Sequence, residues 1–311
     1  MKSIKKIAVI GAGVMGSSIA LVFARHGYNV WLCDQTQEIL TRAADLIKST
    51  LATLLELGCL SPDEIPAILG RIHSTTDFSE ASQGSDFVME AVSEIPAIKK
   101  EVFAQLNKNC SRNAIFCSNT SGLDIFSLAE VDNPERLIIT HWFSPAHIIP
   151  LVEVVPGEKT SQKVVELTRN ILKDLDKKPV LLKKFVPSFI VNRIQNAINK
   201  TVLEMIDNGW AEPDAIDLAI KYTLGIRLPV IGVAQSMDFA GLDLMDKINQ
   251  QLGVKSSFLE GKVNQNHLGT KTSKGIYDYG DRSEIKILEK RDHLFFKMMK
   301  HLEKIKAFDP V

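Results

Sequence analysis

Ile7-Ala8-Val9-Ile10-Gly11-Ala12-Gly13-Val14-Met15-Gly16 opens a stretch that runs through apolar residues to Arg25-His26-Gly27 and on to Asn29-Val30-Trp31-Leu32-Cys33-Asp34. A short β-branched run enters a glycine loop and a helix leaves it. Gly27 stands where a helix stops, and the next apolar run has strand character. This is a βαβ unit with Gly-x-Gly-x-x-Gly spacing, the fingerprint of dinucleotide binding.

Each glycine has a task there. Gly11 allows the tight turn, Gly13 lets the backbone approach a pyrophosphate, and Gly16 allows close packing of helix on strand. The N–H groups of the helix start, at Val14 and Met15, are then aimed at phosphate. Asp34, 18 residues after Gly16, ends the second strand, where its carboxylate can accept both ribose hydroxyls of NAD. A 2′-phosphate would be repelled, and neither Gln35 nor Thr36 compensates with positive charge, so NAD is favoured over NADP. Met1-Lys2-Ser3-Ile4-Lys5-Lys6 before an apolar run has the outline of a secretory signal, but the fingerprint inside that run argues against one.

A chain of 311 residues, 45% hydrophobic, suits one large or two ordinary domains with a sizeable core. Lysine plus arginine equals aspartate plus glutamate at 37 each, so no charge field points to nucleic acid or a membrane surface. No apolar run reaches spanning length, and no membrane partner is expected. Cys33, Cys59, Cys110 and Cys117 lack metal-ligand spacing and read as reduced thiols of a cytoplasmic protein, with Cys33 and Cys117 in buried strands. The histidines other than His141 show no ligand spacing either, so no metal is expected.

Along the chain, 36–58 reads as a long helix, and Ser61 as the N-cap of a second with Pro62 in its first turn. Strands follow at 71–73, 87–91 and 114–118, with a helix from Pro96 to about Asn107 between the last two. Further strands at 137–140, 151–155 and 179–182, and a helix over about 161–175, complete the first domain. From Pro187-Ser188 onward the pattern turns helical, at 189–208, 213–222, 239–252 and 284–304. The expected fold is α/β: a Rossmann-like doubly wound sheet over 1–186, then an all-α substrate and dimerisation domain over 187–311. Such a second domain commonly completes an active site in a cleft.

His141 and Glu153 are the candidate chemical pair. Oxidation of an alcohol by NAD needs a base, and histidine has its pKa in the right range. A carboxylate on the neighbouring strand can orient the imidazole and stabilise its charged form. A strand-end histidine can equally be a satisfied structural group, yet Glu153, alone amid Leu151-Val152 and Val154-Val155, needs a partner to offset its desolvation. Ser121, after a strand, and Asn192, at the start of a helix, could hydrogen-bond a substrate oxygen, or serve as a turn serine and a helix-start polar residue.

These motifs together resemble the L-3-hydroxyacyl-CoA dehydrogenase family over nearly the whole chain. The resemblance is carried by the glycine loop, Asp34-Gln35-Thr36, Glu90-Ala91-Val92-Ser93-Glu94, Ser118-Asn119-Thr120-Ser121 and His141-Trp142-Phe143-Ser144-Pro145. It continues through Leu151-Val152-Glu153-Val154, Phe189-Ile190-Val191-Asn192-Arg193, Ala240-Gly241-Leu242-Asp243 and Leu268-Gly269-Thr270-Lys271-Thr272 to Gly275-Ile276-Tyr277-Asp278-Tyr279. It implies His141 as catalytic base, Glu153 as its partner, and Ser121 and Asn192 on the substrate oxygen. Glu94, Lys99, Ser121, Ser144 and Lys271 fall on positions around NAD.

Some positions depart from the family pattern. Ser144 replaces an asparagine, Gly122 a second serine, and Gly232-Val233-Ala234-Gln235 a Gly-Pro-Phe-Glu run. Leu57 stands where a basic residue helps hold the CoA phosphates, and no lysine or arginine occurs between Leu51 and Gly70. Ile149-Pro150-Leu151-Val152-Glu153 and the charged last helix are similar to relatives acting on free hydroxy acids such as L-carnitine or L-gulonate. The expected function is therefore reversible NAD-dependent oxidation of an L-3-hydroxyacyl-CoA to the 3-oxoacyl-CoA by a homodimer. The alternatives are a dehydrogenase of a free 3-hydroxy acid and a non-catalytic NAD-binding protein.

Overall fold

A computed structural model describes residues 4–309; Met1–Ser3, where the basic N-terminal stretch begins, and 310–311 lie outside the described residues. The chain divides into two compact units, Met1–Ala197 and Ile198–Val311.

The first half of unit 1 runs β1 (Lys6–Ile10), α1 (Val14–Arg25), β2 (Asn29–Cys33), α2 (Gln37–Glu56), α3 (Glu64–Leu69), β3 (Ile72–Thr75), α4 (Phe78–Ser82) and β4 (Phe87–Glu90). The second half runs α5 (Pro96–Asn109), β5 (Ile115–Ser118), α6 (Ile125–Leu128), β6 (Leu137–Trp142), β7 (Leu151–Pro156), α7 (Gln162–Asp174) and β8 (Lys178–Leu181). The strands form one sheet in the order β3-β2-β1-β4-β5-β6-β7-β8. It is parallel as far as β6; β7 runs antiparallel to β6, and β8 parallel to β7.

Every residue of β4, β5 and β6 is buried, because helices cover both faces of the sheet. One core cluster includes Phe23, Phe87 and Trp142, and the other Val88, Phe103, Phe116 and Phe189. Thr36 Oγ1 accepts the Ile39 N–H to cap α2, whose Leu40, Ala43, Ile47, Leu51 and Leu54 are buried at helical spacing. Each such leucine contributes about 1.5–3 kcal/mol by leaving water. The chain departs in opposite directions after β1 and β4, and this reversal opens a crevice at the carboxyl ends of the strands.

Two local expectations are corrected. The helix placed at Ser61-Pro62 begins instead at Glu64, since Pro62 and Asp63 form a turn. Ser61 does not cap it: its own N–H and hydroxyl both donate to Glu64 Oε2, at 2.7 and 3.0 Å. The helix expected over 239–252 is broken at Gly241, whose φ of 93° is open to glycine but not to a helix interior. Cys33 and Cys117 are buried and unpaired.

After α8 (Val191–Asp207), which crosses into unit 2, the chain forms α9 (Pro213–Tyr222), α10 (Leu224–Ala240), α11 (Leu242–Gln251), α12 (Ser257–Asn264) and α13 (Glu284–Lys304). The sequence concealed α10 because Pro229 lies inside it and Gly232, at φ 64°, interrupts it. Unit 2 is tied together at Asp238, which is 1% exposed and accepts the N–H groups of Ile276 and Tyr277 and the Tyr279 hydroxyl at 2.7, 2.9 and 2.9 Å. At two positions around this carboxylate there is no room for a side chain: a Cβ on Gly269 would sit 2.1 Å from Asp238 O, and one on Gly275 2.2 Å from its Oδ1. Burial and the Asp238 contact push the Tyr279 phenol well above its ordinary range.

Candidate active site

The crevice after β1 holds a cavity of about 680 Å³ whose wall includes Gly11, Gly13, Val14, Met15, Asp34 and Ala91. Gly11, at φ 100°, turns so close to the next strand that a Cβ would meet Ala91 O at 2.6 Å. Gly16 faces Gly11 O, where a Cβ would come to 1.7 Å. Gly13 differs, because a Cβ there meets nothing within 4 Å of the protein and would project into the cavity. It is also the N-cap of α1 without a side-chain cap, so the helix start offers unsatisfied N–H groups to an anion.

Asp34 Oδ2 accepts the Ala12 N–H at 2.6 Å and Oδ1 the Gln35 N–H at 2.7 Å. Each oxygen keeps a lone pair for a ribose hydroxyl. Among the described residues, no lysine or arginine lies in the cavity wall. The bare glycine, the uncapped helix start and the acid fit NAD.

Glu90 ends β4 and is fully buried. Lys99, in the first turn of α5 and 1% exposed, donates to Glu90 Oε1 at 2.6 Å and lies 3.2 Å from Glu94 Oε2. Ser118 Oγ donates to Glu90 Oε2 at 2.5 Å. Glu94 Oε1 accepts the Thr120 hydroxyl at 2.6 Å and the Ser121 N–H at 2.8 Å, which pins the turn after β5. Burial raises the Glu94 pKa, but Thr120, Lys99 and the Ser121 N–H outweigh it and leave it lowered. Lys99 is thus spent on carboxylates.

β6 and β7 pair with His141 opposite Glu153, on one face of the sheet. His141 Nδ1 and Glu153 Oε2 are 2.8 Å apart, and both residues are buried. An ionised carboxylate only accepts, so Nδ1 carries the proton and Nε2 is left with its lone pair. Nε2 makes no hydrogen bond among the described residues. Glu153 Oε1 accepts the N–H groups of Ile190 and Val191, both at 2.9 Å. Burial raises the Glu153 pKa, but the His141 bond and these two N–H groups outweigh it and hold it below the usual carboxylate range.

The strap before α8 makes this possible. Ser188 and Phe189 both take positive φ, 64° and 51°, which turns the next two N–H groups toward the carboxylate. The Phe189 ring lies 5.4 Å and the Phe143 ring 4.4 Å from the imidazole. Asn119 Oδ1 accepts the Trp142 N–H at 2.8 Å and fixes the end of β6.

Ser121, His141, Glu153 and Asn192 all lie in unit 1, and Asn192 Nδ2 donates to Ser121 O at 3.4 Å. Ser144 is exposed on the loop after β6. Lys271 belongs to unit 2, where its Nζ lies 2.5 Å from Asp243 Oδ1. The resemblance motifs include Glu90, Asn119 and Phe189-Ile190-Val191 without giving them a role; Glu90 carries the same signal as Glu153, a lone acid in a buried strand, whereas the conformation of the strap has no signal in the sequence.

The arrangement supplies a buried carboxylate, an imidazole of fixed tautomer with one free nitrogen, and a dinucleotide crevice. Proton transfer coupled to hydride transfer is within its means.

Comparison with known proteins bears on that chemistry. Residues 6–185 match the family model for the 3-hydroxyacyl-CoA dehydrogenase NAD-binding domain, and residues 189–279 that for the C-terminal domain. The chain is 36% identical over 283 residues to a "Probable 3-hydroxybutyryl-CoA dehydrogenase" of Deinococcus radiodurans, covering 88% of this chain and 100% of the relative. It is 31% identical over 284 residues to a 5-formyl-3-hydroxy-2-methylpyridine 4-carboxylate 5-dehydrogenase of Mesorhizobium japonicum, covering 89% and 91%. Among solved structures, it is similar to a 3-hydroxyacyl-CoA dehydrogenase of Archaeoglobus fulgidus, with a TM-score of 0.80, 31% identity and coverage of 96% and 99%. No helix among the described residues is long and apolar enough to cross a membrane.

Proposed function

The chain belongs to the 3-hydroxyacyl-CoA dehydrogenase family, an NAD-dependent oxidoreductase family, and from that premise we propose that it oxidises an L-3-hydroxyacyl-CoA to the 3-oxoacyl-CoA, reversibly. Bound NAD supplies the hydride acceptor. His141 Nε2 takes the hydroxyl proton on oxidation and returns it on reduction. Glu153 fixes the tautomer through Nδ1 and stabilises the imidazolium. Ser121 and Asn192 hold the substrate oxygen. Gly11, Gly13, Val14, Met15, Gly16 and Asp34 bind the dinucleotide, with Glu94, Lys99, Ser121 and Ser144 around it. The observation that carries this reading is the free Nε2 of an imidazole whose other nitrogen is committed to a buried carboxylate.

A free carboxylic acid is the second reading, favoured by one feature of this chain and by one relative. No lysine or arginine stands between Leu51 and Gly70 to receive CoA phosphates, and the Mesorhizobium japonicum relative is named for a pyridine carboxylate. The deciding experiment compares NADH oxidation with acetoacetyl-CoA against NAD reduction with L-carnitine, L-gulonate and L-3-hydroxybutyrate. Efficient turnover of the thioester supports the first reading; turnover of a free acid alone replaces it with the second.

The active form is proposed to be a homodimer. No residue of α8 is buried within its own chain, and Ile194, Ile198 and Leu203 are exposed along it. A monomer in sedimentation equilibrium would overturn this.

A further inference from the structure

The loop at 143–150 follows His141 almost directly and carries Ser144. It is held from two sides. Lys177, just before β8 and 6% exposed, sends its ammonium group to Ala146 O at 2.5 Å and Ile149 O at 3.0 Å. The same group lies 5.4 Å from the centre of the Trp142 ring. On the other side, His147 Nδ1 and Ser18 Oγ are 3.0 Å apart, and the His147 N–H donates to that hydroxyl at 3.2 Å. Ser18 belongs to α1, whose first N–H groups face the dinucleotide cavity.

We propose that Lys177 is a positioning residue for cofactor binding: its charge clamps the 143–150 loop, and the clamped loop holds the start of α1 through the Ser18–His147 contact. A buried ammonium bonded to two carbonyl oxygens makes charge-assisted bonds, stronger than those of a neutral amine. The charged groups that face it are Arg25 on α1, His147 on the loop and Asp176 beside it in the chain. Burial and Arg25 push the Lys177 pKa down, against the pull of Asp176, to about 8. Burial, Arg25 and Lys177 also lower the His147 pKa, so its imidazole is neutral while Lys177 titrates.

The sign follows. The clamp is complete while Lys177 is charged and weakens as pH rises through its pKa, so NADH affinity falls on the alkaline side. Affinity for NADH depends only on the cofactor site, so this inference stands or falls separately from the proposed substrate.

NADH fluorescence titrations from about pH 7 to about pH 9.5 test it. The parent Kd should rise about fivefold across that range, the ratio between a charged and a neutral hydrogen bond. Lys177→Arg, whose charge persists throughout, should keep near-parent affinity with a flat profile. Lys177→Met should also be flat, but about fivefold weaker at neutral pH. Ser18→Ala leaves Lys177 in place and should lose the pH dependence, which keeps the test open if a residue-177 variant misfolds. A flat parent profile, or the parent's slope retained in the variants, overturns the proposal.

Discussion

Replacing Glu153 with glutamine exchanges one oxygen for an NH2 group and leaves the size of the side chain unchanged. The carboxylate accepts on both sides: Oε2 from His141 Nδ1 at 2.8 Å, and Oε1 from Ile190 and Val191 at 2.9 Å each. Glutamine can satisfy only one side. Turned toward the strap, its NH2 would oppose two N–H donors; turned toward His141, it opposes one. The amide oxygen therefore keeps the strap and the NH2 faces the imidazole. His141 must then accept at Nδ1 and carry its proton on Nε2, where it can no longer act as a base. A comparable tautomer error in a Ser-His-Asp triad costs about 10⁴ in kcat, and a loss of about 10³–10⁴ is expected here. Two bonds to a charged acceptor also become bonds to a neutral one, at about 1 kcal/mol each, so stability should fall by about 2 kcal/mol.

The pH dependence adds an internal control. Glu153 has a lowered folded pKa. Its contribution to stability is present above the unfolded carboxylate value of about 4.3 and is lost as pH falls through the folded value. The gap in stability between parent and variant should therefore close in acid. Steady-state turnover, NADH titration and urea melts at several pH values make the assay. A kcat within about tenfold of the parent, with NADH affinity intact, would refute the tautomer argument.

His141→Gln should lower kcat by about three orders of magnitude or more and leave the NADH Kd within about twofold, as stopped-flow and fluorescence titration would show. Gly13→Ala and Gly16→Ala should separate binding from folding. The first, which meets no protein atom, should weaken NADH binding by about tenfold or more at unchanged Tm, whereas the second, with its Cβ 1.7 Å from Gly11 O, should destabilise the fold by about 1–3 kcal/mol or more. Asp34→Ala should weaken NADH binding about tenfold and narrow the gap to NADPH, read as the ratio of the two Kd values. Lys99→Met should cost about 3–5 kcal/mol in urea melts at neutral pH, because Glu90 is left charged and unpaired; a loss under about 1 kcal/mol would count against the buried pair.

The dinucleotide half of the fold was legible because each of its signals is local. A glycine loop, a helix stop and an acid at a strand end lie within residues 7–34. Glu153 was legible for another reason: a charge inside an apolar strand demands a partner, and the opposed register of β6 and β7 supplies His141. The rest of the site depends on groups without side-chain signals. Nothing in Ser188-Phe189-Ile190-Val191 announces two consecutive positive φ values or two N–H groups turned toward a carboxylate. Lys99 shares the helical face of Val102, Phe103 and Leu106, and the resemblance places it near NAD, but nothing in its own segment names Glu90 as its partner, which only the fold brings to it. Pro229 and Gly232 speak against a helix in sequence, so α10 went unseen.

The double duty of Glu153 ties chemistry to assembly. One oxygen accepts from the imidazole, while the other holds the N–H groups of Ile190 and Val191 where the strap enters α8. Under the proposed mechanism, a chain in which the 188–191 turn has not docked has a misaligned base even if its glycine loop is already formed, so a nicked chain is expected to bind the dinucleotide without turning over substrate.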